Sequence, residues 1–120
     1  MRVNETTEAA LVSSMTEAGP LILQAFAWDM APEASHWRYL AARAQAIADL
    51  GVTIIWLPPA YKGHEGINDV GYGVYDLYDL GEFDQKGSVP TKYGTKDEYL
   101  AAIDALHEAG IAVCADIVLN

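Results

Sequence analysis

Asp116 and Asn120 stand four residues apart at the end of the chain, so in an extended strand both side chains leave the same face. Read on its own, Asn120 is a cap or turn former, and Asp116 is a buried carboxylate bonded to backbone or to an arginine. Gln24 and Trp28 share a face in the same way. Tyr72 lies between Gly71 and Gly73, which let another group come close to its ring. It is either a stacking surface for a ligand or a loop tyrosine packed on its own domain. Asp76, Asp79, Glu82 and Asp84 crowd one short segment. They read as a solvated loop face that ends short strands, with metal binding as the other reading. His36, His64 and His107 have no ligand-like spacing and are expected on helix or loop surface. Cys114 has no second cysteine to pair with, and in an apolar strand it reads as a buried structural thiol.

The elements that would position these groups follow from apolar periodicity. Leu21 to Trp28 is a nearly continuous apolar run of strand length. Ser35 is a plausible N-cap for a helix whose Trp37, Leu40, Ala41, Ala44, Ile47 and Ala48 fall on one face, with Gly51 ending it. Val52 to Leu57 is a second strand, stopped by Pro58-Pro59. A long Gly- and Tyr-rich connection leads to Thr95-Lys96-Asp97-Glu98, a capping box. The helix it opens is expected to bury Tyr99, Leu100, Ile103 and Leu106 and to end at Gly110, before a third strand over Ile111 to Leu119. The order β-α-β-loop-α-β predicts an α/β fold with parallel strands, buried on both faces and covered by helices. Residues 1–19, polar and acidic, are expected to form an N-terminal arm, and 20–120 the domain.

Composition narrows the function classes. Of 120 residues, 17 are acidic and 7 basic, a net charge of −10, which repels nucleic acid and anionic membrane surfaces; neither is an expected partner. No apolar run approaches the ~18 residues of a membrane span. The opening segment has no basic flank with an apolar centre, so a cytoplasmic location is expected.

Asp116-Ile117-Val118-Leu119-Asn120 resembles the first signature segment, Asp-x-Val-x-Asn-His, of the α-amylase superfamily of glycoside hydrolases (family 13), cut before its histidine. Pro58-Pro59-Ala60-Tyr61-Lys62-Gly63, Asp69 to Phe83, Gln85-Lys86-Gly87 and Thr91 to Lys96 resemble the liquefying-type bacterial and cytoplasmic α-amylases. Gln24 to Trp28 is similar to the first strand of that group, departing from it at Ala25 and Ala27. The resemblance runs from about residue 20 to residue 120.

That resemblance implies the first three strands and two helices of a parallel (β/α)8 barrel, with function at the C-terminal strand ends. It implies that Tyr72 stacks on the sugar at the cleavage subsite and that Trp28 and Gln24 lie near the cleft. It further implies that Asp116 supports the catalytic cluster from behind and that Asn120 gives an oxygen to a structural Ca2+, which needs about 6–8 such ligands. The implied activity is endo-hydrolysis of α-1,4 bonds in starch, glycogen or maltooligosaccharides with retention, by two carboxyls ~5–5.5 Å apart. Those carboxyls are expected beyond residue 120, so no catalytic residue is assigned here and the 120-residue chain is expected to be an inactive N-terminal fragment. Other readings are a non-catalytic glucan-binding or interaction module derived from an amylase, a related α-glucan hydrolase or transglycosylase, and an unrelated small α/β protein.

Overall fold

The computed structural model describes residues 19–119, so the expected arm and Asn120 lie outside the described residues, Gly19 apart. Three apolar runs form the parallel strands β1 (Ile22–Gln24), β2 (Ile54–Leu57) and, last in the chain, β5 (Ala112–Ala115). They pair in the order β1-β2-β5, with Gln24 beside Trp56 and Trp56 beside Cys114. Between β2 and β5 the long connection makes a small antiparallel pair, β3 (Lys62–Gly63) and β4 (Val74–Asp76).

Two helices cover one face of the sheet: α1 (His36–Asp49) and α2 (Lys96–Glu108). On α1, Trp37, Leu40, Ala44 and Ile47 are buried, as their spacing requires. Ser35 is its N-cap residue but makes no side-chain capping bond. On α2 the capping box is complete, with Thr95 and Glu98 each satisfying the other's backbone N–H. Its buried face is Tyr99, Ala102 and Leu106; Leu100, expected inside, is exposed. The small Ala102 lets the two helices approach. Trp37 then packs against Tyr99 and Tyr93, with ring centroids 4.8 and 5.3 Å away. Arg38 of α1 pairs with Glu98 of α2 at the rim of this seam.

The strands are not buried on both faces. Ile55, Leu57 and Ile111 point into the helix side and are buried, whereas Ile22, Gln24, Ala112 and Cys114 on the opposite face are exposed, as are Leu23 and Ala115, which share the helix-side face but sit on the two outer strands. Cys114 is therefore an exposed thiol, which corrects its reading as buried. The cause is geometric: among the described residues both helices lie on one side of the sheet, and nothing covers the other. Ladder pairing ends earlier than the apolar runs do, so each strand is shorter than its run.

Candidate functional site

The segment after β3 is built around one carboxylate. Asp69 Oδ1 accepts from the backbone N–H of Gly71 at 2.8 Å and of Gly73 at 3.2 Å, while Oδ2 accepts from Glu65 N at 3.2 Å. The chain can wrap this closely only because of glycine. A Cβ on Gly73 would lie 2.5 Å from Asp69 Oδ2, and one on Gly71, whose φ is +124°, 2.7 Å from Pro59. Tyr93 adds a second brace, its hydroxyl donating to Val70 O at 2.6 Å. Tyr72 is thus held at the crest of a rigid turn.

Its hydroxyl donates to Oδ2 of Asp116, just past β5, and the same oxygen accepts from Trp56 Nε1 at 3.2 Å. Asp116 is therefore half-buried and bonded to two aromatic donors, not to backbone or arginine. Burial first, then the bond to and the charge of Asp116, push the Tyr72 phenol up to about 12. It stays a neutral O–H donor at ordinary pH. The ring of Tyr72 lies parallel to that of Trp28, 6° between planes and 5.9 Å between centroids. Trp28 is 70% exposed. An open cleft of about 390 Å3 runs past Trp28, His64, Glu65, Asn68, Asp69 and Tyr72.

Gln24 is exposed, donates to Phe26 O at 3.1 Å, and lines a separate groove with His36 and Tyr39. It shares a sheet face with Trp56 but does not border the Tyr72 cleft. Nearby, Tyr61 is buried and accepts from Val118 N at 2.7 Å, which fixes the chain after β5. Asn120 lies outside the described residues. Among the described residues no three His, Cys, Asp or Glu side chains gather to hold a metal.

Asp79 corrects the reading of the acidic series as a solvated face. It is fully buried, 3.4 Å from the equally buried Lys62. The Asp79 carboxylate accepts from the backbone N–H groups of Gly81, Glu82 and Phe83 and from Gln85. Burial opposes its charge, but these donors outweigh it and hold the carboxyl below its usual range. Lys62 Nζ donates to the carbonyls of Phe83, Gln85, Ser88 and Val89, so the loop winds around an internal cation. His36 corrects the reading of the histidines as surface groups: half-buried, its Nε2 bonds Ala25 O, and its ring stacks on Tyr39. Asp69, Trp56 and Lys62 were not among the predicted site residues. The Asp-x-Gly spacing at Asp69 and Gly71 is the sequence signal of a side chain folding back on its own backbone.

Known proteins are similar to this chain in sequence and fold. The model for "Alpha amylase, catalytic domain" matches residues 27–120. The cytoplasmic alpha-amylase of Escherichia coli (strain K12) is 55% identical over 101 residues, covering 84% of this chain and 20% of that protein. The alpha-amylase of Geobacillus stearothermophilus is 54% identical over 99 residues, covering 82% and 18%. The chain thus spans about a fifth of the length of these relatives. Among solved structures, truncated alternansucrase from Leuconostoc mesenteroides NRRL B-1355 matches with a TM-score of 0.68 and 31% identity, over 81% of this chain and 10% of that one. Alternansucrase solved with isomaltotriose matches equally. The three parallel strands and two helices are accordingly part of a (β/α)8 barrel, and the chain belongs to the α-amylase family of glycoside hydrolases.

Proposed function

We propose that the chain is the first part of an endo-acting α-amylase that cleaves α-1,4-glucosidic bonds of starch, glycogen or maltooligosaccharides with retention. The observation that carries this reading is the Tyr72 turn. A phenol ring held by Asp69 behind and Asp116 at its hydroxyl stands beside the exposed Trp28, in a cleft open to solvent. Flat aromatic faces of this kind pack on the apolar faces of pyranose rings. Names of relatives point the same way: two are alpha-amylases and a third is a glucan 1,4-alpha-maltohexaosidase from Bacillus sp. (strain 707), 48% identical. The cytoplasm is proposed as the location because one of them is named a cytoplasmic enzyme; no helix among the described residues is long and apolar enough to cross a membrane.

In this reading Tyr72 and Trp28 carry the sugar and Asp116 holds the Tyr72 hydroxyl, while Gln24, which lines a separate groove, has no part in this cleft. Asp69 and Asp116 are engaged by backbone and aromatic donors. In this reading they act as braces for the Tyr72 turn and hydroxyl. The described residues form no cage for Ca2+, so Asn120 is proposed as one oxygen ligand only and no step depends on the ion. The 120-residue chain, which spans about a fifth of its relatives' length, should by itself release no reducing sugar from soluble starch, since no described residue is proposed as nucleophile or general acid. Inhibitor-sensitive release by the purified chain would refute that assignment.

A further inference from the structure

Lys92 takes no part in the Tyr72 cleft, and among the described residues its ammonium has no hydrogen-bond or ion-pair partner. Only 7% of the residue is exposed. The buried Lys62, by contrast, gathers four carbonyls and the Asp79 carboxylate. A cation taken this far from water calls for acceptors or a counter-charge, and Lys92 has neither. Its place is nonetheless fixed by the backbone. Thr91 N and Thr91 Oγ1 both donate to Gly94 O, at 2.9 and 3.2 Å, which closes a tight turn with Lys92 inside it. That turn grips the start of α1: Ala34 N donates to Lys92 O at 3.1 Å and Trp37 N to Tyr93 O at 3.0 Å. The lysine is therefore locked against the N-terminus of the helix.

Lys92, Ser35, His36, Tyr39, Met30 and Glu33 border an open hollow of about 290 Å3, which shares no residue with the Tyr72 cleft. The helix start that enters it lacks its usual partners. Ser35 makes no side-chain capping bond, the first turn of α1 carries no acidic residue, and among the described residues the His36 N–H has no acceptor. The positive end of a 14-residue helix and an unpaired ammonium thus meet at one hollow. Backbone N–H groups, a hydroxyl and an ammonium are all donors, so the complementary ligand is an anion with several acceptor oxygens. A phosphate dianion has that form. The one carboxylate at the border, Glu33, is exposed and not paired with Lys92. His36 and Tyr39 stack with 11° between their planes and leave a flat wall for a small organic group. We propose that this hollow binds a phosphate dianion, free or as a small monoester, between Lys92 and the N-terminus of α1. It is a separate site, and it stands whether or not Tyr72 carries a sugar.

The test follows the phosphorus NMR line width of two probes, inorganic phosphate and glycerol phosphate, as the full chain is added in chloride buffer of low ionic strength. Both should broaden. Equal affinity would name free phosphate as the ligand, and tighter binding of glycerol phosphate a monoester. Lys92→Met keeps the buried stem without its charge and should weaken binding about ten- to hundredfold, the worth of a charge-assisted bond. Glu33→Gln removes the neighbouring negative charge and should tighten binding about two- to fivefold. Ser35→Ala removes one donor and should weaken it about threefold. Near-ultraviolet circular dichroism checks the fold of each variant. If Lys92→Met fails that check, the exposed Glu33→Gln and the half-buried Ser35→Ala decide. No broadening by the unmodified chain, equal broadening by folded Lys92→Met, or unchanged affinity in both other variants would overturn the site.

Discussion

Asp69, Asp116 and Asp79 are all carboxylates near short strands, yet each does a different job, because each meets different donors. Asp69 folds back on its own turn, Asp116 receives two aromatic donors, and Asp79 faces a buried ammonium. Asp116 could be singled out from its place in the strand and Tyr72 from its flanking glycines. The partner Trp56 could not, since it meets Asp116, 60 positions away, only after folding, whereas Asp69 bonds within four residues and carries a local Asp-x-Gly signal. His36 shows the same limit from the other side: an unremarkable helix-start histidine turns out to tie α1 to the chain after β1. Burial lowers its pKa from 6.5, partly countered by the bond to Ala25 O. A folded value below the unfolded one means the unfolded state binds more protons as pH falls. The stability tied to neutral His36 is therefore complete above about pH 6.5 and is lost on acidification through its folded pKa. Thermal midpoints measured from pH 8 to 5 should fall on the acid side, and His36→Asn should flatten that limb; an unchanged slope would contradict this role.

At the scale of elements, the helices were read well because each carries redundant signals. The stripe on α1 and the capping box on α2 both stand in the structure. The strands were placed correctly but overextended, since apolar character continues past the last paired residue. The connection between β2 and α2 was the least legible, because its order comes from one buried ion pair and not from periodicity. Lys62 and Asp79 gather four carbonyls and three backbone N–H groups of the 79–89 loop around themselves. Lys62 also begins β3, whose partner strand leaves directly from the Tyr72 turn. Lys62→Met would strand the Asp79 carboxylate in the interior. The expected cost is ~3–5 kcal/mol, read as a lower denaturant midpoint. A change within about 0.5 kcal/mol would show that the loop does not depend on its cation.

For the whole molecule, the exposed sheet face and strand edges follow from a barrel of which three strands are described. Among the described residues β5 has a partner on one side only and is followed by exposed Ile117 and Leu119. Such an edge, β-rich and nearly uncharged, favours association. Sedimentation of the chain should show oligomers growing with concentration, whereas a monomer with a sharp cooperative melt would show that the sheet stands alone. The central claim, that Tyr72 is the platform on which an α-glucan is cleaved, is tested most directly in a chimera. Residues of this chain would replace the matching 101-residue segment of the Escherichia coli cytoplasmic alpha-amylase. With Tyr72 in place the chimera is the reference. Tyr72→Ala should then lower turnover on starch by roughly ten- to hundredfold, ~1–3 kcal/mol of transition-state binding, with little change in melting temperature. Unchanged turnover in the folded variant, or a large fall in melting temperature with activity per folded molecule preserved, would contradict it.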